Sequence, residues 1–262
     1  MLVALDIDST LATATGQVPA ANAAAVRRVR ALGVRFVLAT GRSPRSAARF
    51  ARELGLATPL ICLWGAWVGY PGARRALRLA PIPEPAATAV LAATRGLPSI
   101  AVTDDDWFAH APDGVDLALG PLGTARPVPD LGQAVAASGR PLLLVSVVGP
   151  AAAEAARSGV DTRGLSLLRW SHWVGTPRER TNFLAAGADK SLALAWLAAI
   201  WRVPAESVLA CGDDPVDRGM LGWAGHSLAM AWADADLRRL ARRVGSDRAD
   251  AVAVELDRLW PA

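Results

Sequence analysis

Apolar and polar residues fall along this chain in blocks rather than in strict alternation. Leu2-Val3-Ala4-Leu5 is an unbroken apolar run that delivers Asp6 and Asp8 at its end. A continuous run of this length reads as a strand buried on both faces, as in a parallel sheet. Pro19 then opens a helix whose alanines and arginines continue to Leu32, and Gly33 closes it. Val34 to Ala39 predicts the next strand, Pro44 to Leu54 a helix stopped by Gly55, and Pro59 to Leu63 a third short strand. This β-α-β-α-β order predicts a doubly wound, Rossmann-like parallel sheet. Trp64 to Ala80 reads as a hairpin turning at Pro71-Gly72.

The texture changes at Pro81, Pro83 and Pro85, which make a stiff crossing. A helix at about Ala86 to Arg95 follows, then strands at Ser99 to Val102 and Trp107 to His110 around the polar turn Asp104-Asp105-Asp106. Pro112 to Pro129 reads as loop. A strand at Leu142 to Val148, a helix at Ala151 to Arg157 and a hairpin from Leu165 to Leu184 complete this stretch, with Gly187-Ala188 as a return hinge. Beyond it the first pattern resumes. Asp189 to Trp201 predicts a helix, Ser207 to Ala210 a buried strand, Pro215 to Trp223 a helix, and Ser227 to Met230 a last strand. Two amphipathic helices, about Ala233 to Arg243 and Ala249 to Leu259, end the chain. The expectation is an α/β protein: residues 1–80 and 186–262 form a doubly wound core domain, and residues 81–185 an inserted α/β cap domain.

Composition sharpens this picture at one place. The 262 residues include 28 Lys plus Arg and 24 Asp plus Glu, a net charge of +4. The cations are scattered and paired with acids, with no basic run interleaved with aromatics, so nucleic acid is not expected as a partner. A positive field suits a small phosphorylated substrate equally well. The longest uncharged apolar helix, Ser191 to Trp201, is too short to cross a bilayer. No basic leader precedes the first strand, so the expectation is a cytoplasmic protein without membrane association, a monomer or weak homodimer. Cys62 and Cys211 end apolar runs and read as buried, reduced thiols. His110 and His226 read as structural. Lys190, however, is the only lysine among those 28 cations. An ammonium is a compact point charge that a planar guanidinium does not replace where geometry is tight, which makes Lys190 a site candidate.

Asp6 and Asp8 lie where open α/β sheets bind ligands, beyond the carboxyl end of a strand, and leave the backbone on one side. Two carboxylates so close invite a cation or a raised pKa, and suit a nucleophile beside a general acid and base. Capping of the following turn is the alternative for this pair alone. A second acidic cluster, Asp213, Asp214 and Asp217, follows the Ser207 to Ala210 strand, in a number and hardness that suit Mg²⁺. Thr40 offers a hydroxyl and a loop amide to a phosphate oxygen, and Lys190 adds neutralising charge. Phosphoryl transfer needs these parts, because its catalysis is mostly positioning and charge stabilisation.

Asp6-x-Asp8-x-Thr10-Leu11, Thr40-Gly41-Arg42, Lys190 and Gly212-Asp213-x-x-x-Asp217-x-x-Met220-Leu221 resemble the four motifs of the haloacid dehalogenase superfamily. The long insert between the second and third motifs, and Ser227 to Ala231 after the fourth, resemble its Cof-type, sugar-phosphatase branch. The resemblance implies that Asp6 is the nucleophile and Asp8 the general acid and base. It implies that Thr40, Gly41 and Lys190 hold the phosphoryl group, and that Asp6, Asp213 and the main chain of Asp8 bind Mg²⁺. Asp217, with Asp214, would support Lys190 or the metal. The implied activity is hydrolysis of a small phosphorylated metabolite, a sugar phosphate by class, through an aspartyl-phosphate. A phosphomutase or a silent phosphate-binding protein of the same fold are the alternatives. Three positions depart from the family pattern: Ser9 replaces a glycine, and Trp64 and Val216 replace asparagines. In the cap, Arg169, Trp170, His172 and Trp173 are the candidate specificity residues, with cap core and surface charge as the plain alternative.

Overall fold

A computed structural model describes residues 1–73, 75–112, 117, 124–170 and 179–261. In chain order the strands and helices are β1 (Leu2–Leu5), α1 (Ala20–Ala31), β2 (Arg35–Leu38), α2 (Pro44–Leu54), β3 (Leu60–Cys62), β4 (Trp67–Gly69) and β5 (Arg78–Leu79). There follow α3 (Glu84–Ala93), β6 (Ser99–Thr103), β7 (Trp107–His110), β8 (Arg126–Pro127), α4 (Leu131–Ser138), β9 (Leu142–Val148), α5 (Pro150–Ser158), β10 (Leu165–Trp170) and β11 (Arg180–Ala185). The last are α6 (Lys190–Ile200), β12 (Val208–Gly212), α7 (Arg218–Trp223), β13 (His226–Ala229), α8 (Ala235–Leu240), β14 (Arg243–Val244) and α9 (Ala251–Leu259). The chain divides into two compact units, Met1–Ala73 with Asp189–Ala262, and Arg74–Ala188.

The first unit is built on a five-stranded sheet in the order β14-β13-β12-β1-β2. Its pairings are all parallel, with Leu5 opposite Leu38 on one side and Cys211 on the other. β1 and β12 are buried along their whole length, which is why their sequences read as unbroken apolar runs. One face of the sheet packs Ala4, Val37 and Ala210 against Leu194 and Leu197 of α6 and Met220 and Leu221 of α7. β3 meets the sheet through a single parallel bridge from Ile61 to Ala39, then pairs antiparallel with β4. Centring β1 between β2 and β12 places the chain ends after Leu5, Leu38 and Gly212 side by side at one edge. That is the topological switch point at which such sheets bind ligands.

The second unit carries a six-stranded sheet, β10-β11-β9-β6-β7-β8, antiparallel except for β7 with β8. Val90 of α3, Leu131 and Val135 of α4 and Ala156 of α5 join Val145, Val147 and Phe183 in its core.

Three elements differ from the sequence reading: β8 lies within a stretch read as loop, and the other two are helical. Helix α4 was not expected, since only Leu131 and Val135 of its eight residues are buried and its apolar periodicity is weak. Its signals are terminal: the Asp130 carboxylate accepts from the Gln133 amide at 2.8 Å, and Gly139 closes the helix at φ 61°. The helix expected at Ala233 to Arg243 stops at Leu240. The chain then extends so that Arg243 and Val244 pair with Leu228 and Ala229, and the backbone bonds of a sheet edge replace another helical turn.

Candidate active site

Asp6 follows β1 directly, and its amide donates to the Cys211 carbonyl at 3.0 Å, which ties the tip of β1 to β12. Lys190 is the first residue of α6. The Asp189 carboxylate caps that helix by accepting from the Ser191 and Leu192 amides at 2.6 and 3.1 Å, and so fixes where Lys190 emerges. The Lys190 ammonium donates to Asp6 Oδ1 at 2.6 Å and to Asp217 Oδ1 at 2.7 Å. All three residues are buried, Asp6 being the most exposed at 6%. The other oxygen of Asp217 accepts from the Asp213 and Asp214 amides at 3.1 and 3.2 Å. Asp214 in turn caps the short turn Pro215–Asp217 by accepting from the Val216 amide at 3.1 Å. A side chain at Gly212 would meet the Asp217 carboxylate at 2.6 Å, so glycine is required for this loop to close.

Asp8 is oriented differently. Arg42 grips its carboxylate with both arms, Nε to Oδ2 at 2.8 Å and Nη2 to Oδ1 at 2.5 Å. Arg42 is itself buried, bonded to Ser46 Oγ at 3.1 Å and stacked 4.9 Å over the Phe50 ring. A bidentate guanidinium holds a carboxylate in one plane as well as at one distance. Thr10, two residues on, donates its hydroxyl to Asp213 Oδ1 at 2.8 Å. Thr40 is fully buried, and its hydroxyl accepts the Arg42 amide at 3.1 Å. The Thr40-Gly41-Arg42 loop is laced to the segment after β3, with Thr40 N to Ile61 O at 2.8 Å, Leu63 N to Arg42 O at 3.1 Å and Trp64 N to Thr40 O at 3.1 Å. The Trp64 indole lies so close to Gly41 that a Cβ there would meet it at 2.5 Å. Trp64 therefore fills the flank of the Thr40-Gly41-Arg42 loop.

Burial dominates the electrostatics, and neighbouring carboxylates add to it. Burial, reinforced by Asp217, Asp213 and Asp8 against the pull of Lys190, holds the Asp6 carboxyl well above its ordinary range. Burial and Asp217 push Asp213 up to about 7, against Thr10 and Lys190. Burial likewise raises Asp214. For Lys190 burial works against the charge, but Asp217 and Asp6 outweigh it and hold the ammonium above its usual range. The three carboxyls retain protons chiefly because burial penalises their ionised forms, and Lys190 retains its own because Asp217 and Asp6 outweigh burial. A hard divalent cation fits this cluster of carboxyls. Asp6, Asp213 and Asp217 each place a carboxylate oxygen within 4.8 Å of the others. Asp217 has both oxygens committed, whereas Asp6 Oδ2 and Asp213 Oδ2 make no hydrogen bond among the described residues. Asp6 and Asp213 are therefore the carboxylates with an oxygen that could serve a divalent cation, while Asp217 is committed to Lys190 and the loop amides.

The sequence reading named Asp6, Asp8, Thr40, Gly41, Lys190, Asp213, Asp214 and Asp217; seven lie in the segments that follow β1, β2 and β12, and Lys190, the first residue of α6, reaches Asp6 and Asp217 among them. It assigned no role to Arg42, whose signal was its place inside Thr40-Gly41-Arg42, nor to Thr10 beyond its place in the first motif. Of the cap candidates, Arg169 is exposed and pairs with Glu179 at 3.4 Å, a surface ion pair. Trp170 closes β10 opposite Arg180. His172 and Trp173 lie outside the described residues.

Residues 3–117 and 166–256 match the family model described as haloacid dehalogenase-like hydrolase. The chain is 24% identical over 250 residues to a 5-amino-6-(5-phospho-D-ribitylamino)uracil phosphatase, YitU, of Bacillus subtilis, covering 92% of this chain and 90% of that one. Among solved structures, a haloacid dehalogenase-like hydrolase from Bacteroides thetaiotaomicron superposes with a TM-score of 0.83 at 20% identity over 99% of both chains. The subclass IIB sugar phosphatase BT4131 gives 0.79 at 19% identity over 98% of both. These likenesses carry the fold, and the family match, spanning most of the chain, carries the class. With its motifs at the carboxyl edge of the parallel sheet, the chain belongs to the haloacid dehalogenase-like hydrolase family, in its Cof-type branch.

Proposed function

We propose that this enzyme is a Mg²⁺-dependent phosphomonoesterase acting on a small phosphorylated metabolite, a sugar phosphate or a similar polyol phosphate. One observation supports this reading above the others: the buried chain Asp6–Lys190–Asp217, with a second carboxylate, Asp8, held apart from it by Arg42. Two carboxylates in different environments take different roles. Asp6 has one oxygen bound to Lys190 and the other without a hydrogen bond among the described residues, and it is the proposed nucleophile. Its attack on phosphorus forms the acyl-phosphate as the P–O bond to the leaving group breaks. Asp8 delivers a proton to the departing oxygen, then takes one from the water that hydrolyses the aspartyl-phosphate. Lys190 neutralises charge on the transferring group from a position that Asp217 locks. When bound by Asp6 and Asp213, Mg²⁺ supplies charge neutralisation to the phosphoryl oxygens. The YitU relative acts on a phosphorylated ribityl compound and BT4131 on sugar phosphates, as their names state, and both support the substrate class. Substrate preference is proposed to reside in the inserted unit, with Arg169, Trp170, His172 and Trp173 as its candidate residues.

The test is phosphate release from p-nitrophenyl phosphate and from a panel of sugar and polyol phosphates, with and without Mg²⁺. Metal-dependent release with at least one strongly preferred sugar or polyol phosphate is expected. Absence of release from every ester overturns the reading. Transfer of the phosphoryl group to an added sugar in preference to water would reassign the enzyme as a mutase.

A further inference from the structure

The loop that carries Asp8 is held at three consecutive residues by three different strand ends. Asp8 is gripped by Arg42, beyond β2, and Thr10 by Asp213, beyond β12. Between them, the Ser9 carbonyl accepts a hydrogen bond from the indole Nε1–H of Trp232 at 2.9 Å, beyond β13. Ser9 has φ 58°, in the left-handed region that a side-chain-bearing residue occupies only when its surroundings hold it there. Trp232 is itself anchored. The Met230 amide donates to Gly212 O at 3.0 Å, the Ala233 amide closes a turn onto Met230 O at 3.1 Å, and the Asp234 carboxylate accepts from the Leu237 amide at 2.6 Å. Met230 and Ala233 are buried on either side of it, while Trp232 is 47% exposed. An aromatic ring left half in solvent contributes little to the core, so its ordered contribution is the N–H it places on Ser9.

We infer that Trp232 is a positioning residue for Asp8: its indole N–H holds the Ser9 peptide in the conformation that aims the neighbouring carboxylate at the leaving group. This rests on the phosphatase reading above. Losing that N–H leaves Asp6, Lys190 and Asp217 untouched, because none of them contacts Ser9 or Trp232 among the described hydrogen bonds. The nucleophile keeps its geometry and the proton donor loses some of its aim. The two functions separate by leaving group. Breaking the P–O bond of an alkyl phosphate puts the bonding electron pair on an alkoxide oxygen, which must take the Asp8 proton as it departs. The p-nitrophenolate ion leaves with that electron pair and needs no proton, so the two esters differ in this first step and share the later hydrolysis of the aspartyl-phosphate, in which Asp8 acts as base.

The experiment compares wild type with Trp232→Phe on an alkyl phosphate such as glycerol phosphate and on p-nitrophenyl phosphate. General acid catalysis contributes on the order of a hundredfold or more, so misaiming the acid is expected to cost about tenfold in kcat/KM on the alkyl ester, kcat/KM reporting the step in which the leaving group departs. The expected result is that loss, with less than about threefold in kcat/KM on the aryl ester and a melting temperature within about 2 °C of wild type. Equal losses of kcat/KM on both substrates, or no loss on either, overturn the inference and leave the phosphatase reading standing. A wild type inactive on both esters overturns the phosphatase reading and this inference with it.

Discussion

Lys190→Arg isolates shape from charge at the centre of the site. The ammonium makes both of its carboxylate bonds from a single nitrogen, at 2.6 and 2.7 Å, between two residues that are almost wholly buried. A guanidinium is longer, and its nitrogens are spread over a rigid fork, so it cannot set one donor atom between Asp6 and Asp217. Forcing extra volume into a packed site costs about 1–3 kcal/mol of stability. Displacing the nucleophile and the phosphoryl-binding charge together is expected to cost at least roughly a hundredfold in kcat/KM, about 2.7 kcal/mol of transition-state stabilisation. Lys190→Met goes further, because it leaves two buried carboxylates facing each other without a cation. Breaking a buried pair in this way costs about 3–5 kcal/mol. Adding Asp217→Asn to Lys190→Met should return part of that stability, with a coupling of about 0.5–3 kcal/mol. The assays are steady-state hydrolysis of an aryl phosphate at saturating Mg²⁺ and calorimetric melting. Arg163→Lys is the control: that side chain is 91% exposed, and a change there should stay within about 0.5 kcal/mol of wild type. Lys190→Arg with kcat/KM within threefold of wild type would refute the argument, and the solitude of this lysine would then be an accident of composition.

Asp6→Asn keeps the size of the nucleophile but cannot form an acyl-phosphate, so turnover should fall to background while the melting temperature stays within a few degrees; hydrolysis above background would remove the covalent mechanism. Asp213→Ala should shift the Mg²⁺ concentration for half-maximal activity upward by at least roughly tenfold, since a metal-binding carboxylate is lost. Undiminished wild-type activity in excess chelator would contradict that assignment. Arg42→Lys retains a cation beside Asp8 but loses the two-armed grip and the stacking on Phe50, and should lower kcat by about tenfold, roughly 1.4 kcal/mol. An unchanged kcat would show that one point charge suffices to place Asp8.

The parts of this protein that repeat a local rule were legible in its sequence. Strands buried on both faces must be apolar throughout, so β1 and β12 announced themselves, together with the acids at their ends. The caps of α2 and α6 follow from a serine and an aspartate at their starts, and the solitary Lys190 stood out by composition alone. Short-range signals failed where a segment buries little. Helix α4 has two buried side chains and no strong period, and the chain after Leu240 turned from helix to sheet edge because β13 offered a ladder. Only the tertiary structure decided which side chains meet. That Lys190 bridges Asp6 and Asp217, that Arg42 grips Asp8, and that Trp232 reaches Ser9 are contacts between residues 27 to 223 positions apart. No local pattern encodes them, because they arise from strand order: placing β1 between β2 and β12, with β13 next, gathers four distant loops at one edge. Sequence supplied the chemical groups, and the order of the parallel strands decided what each one touches.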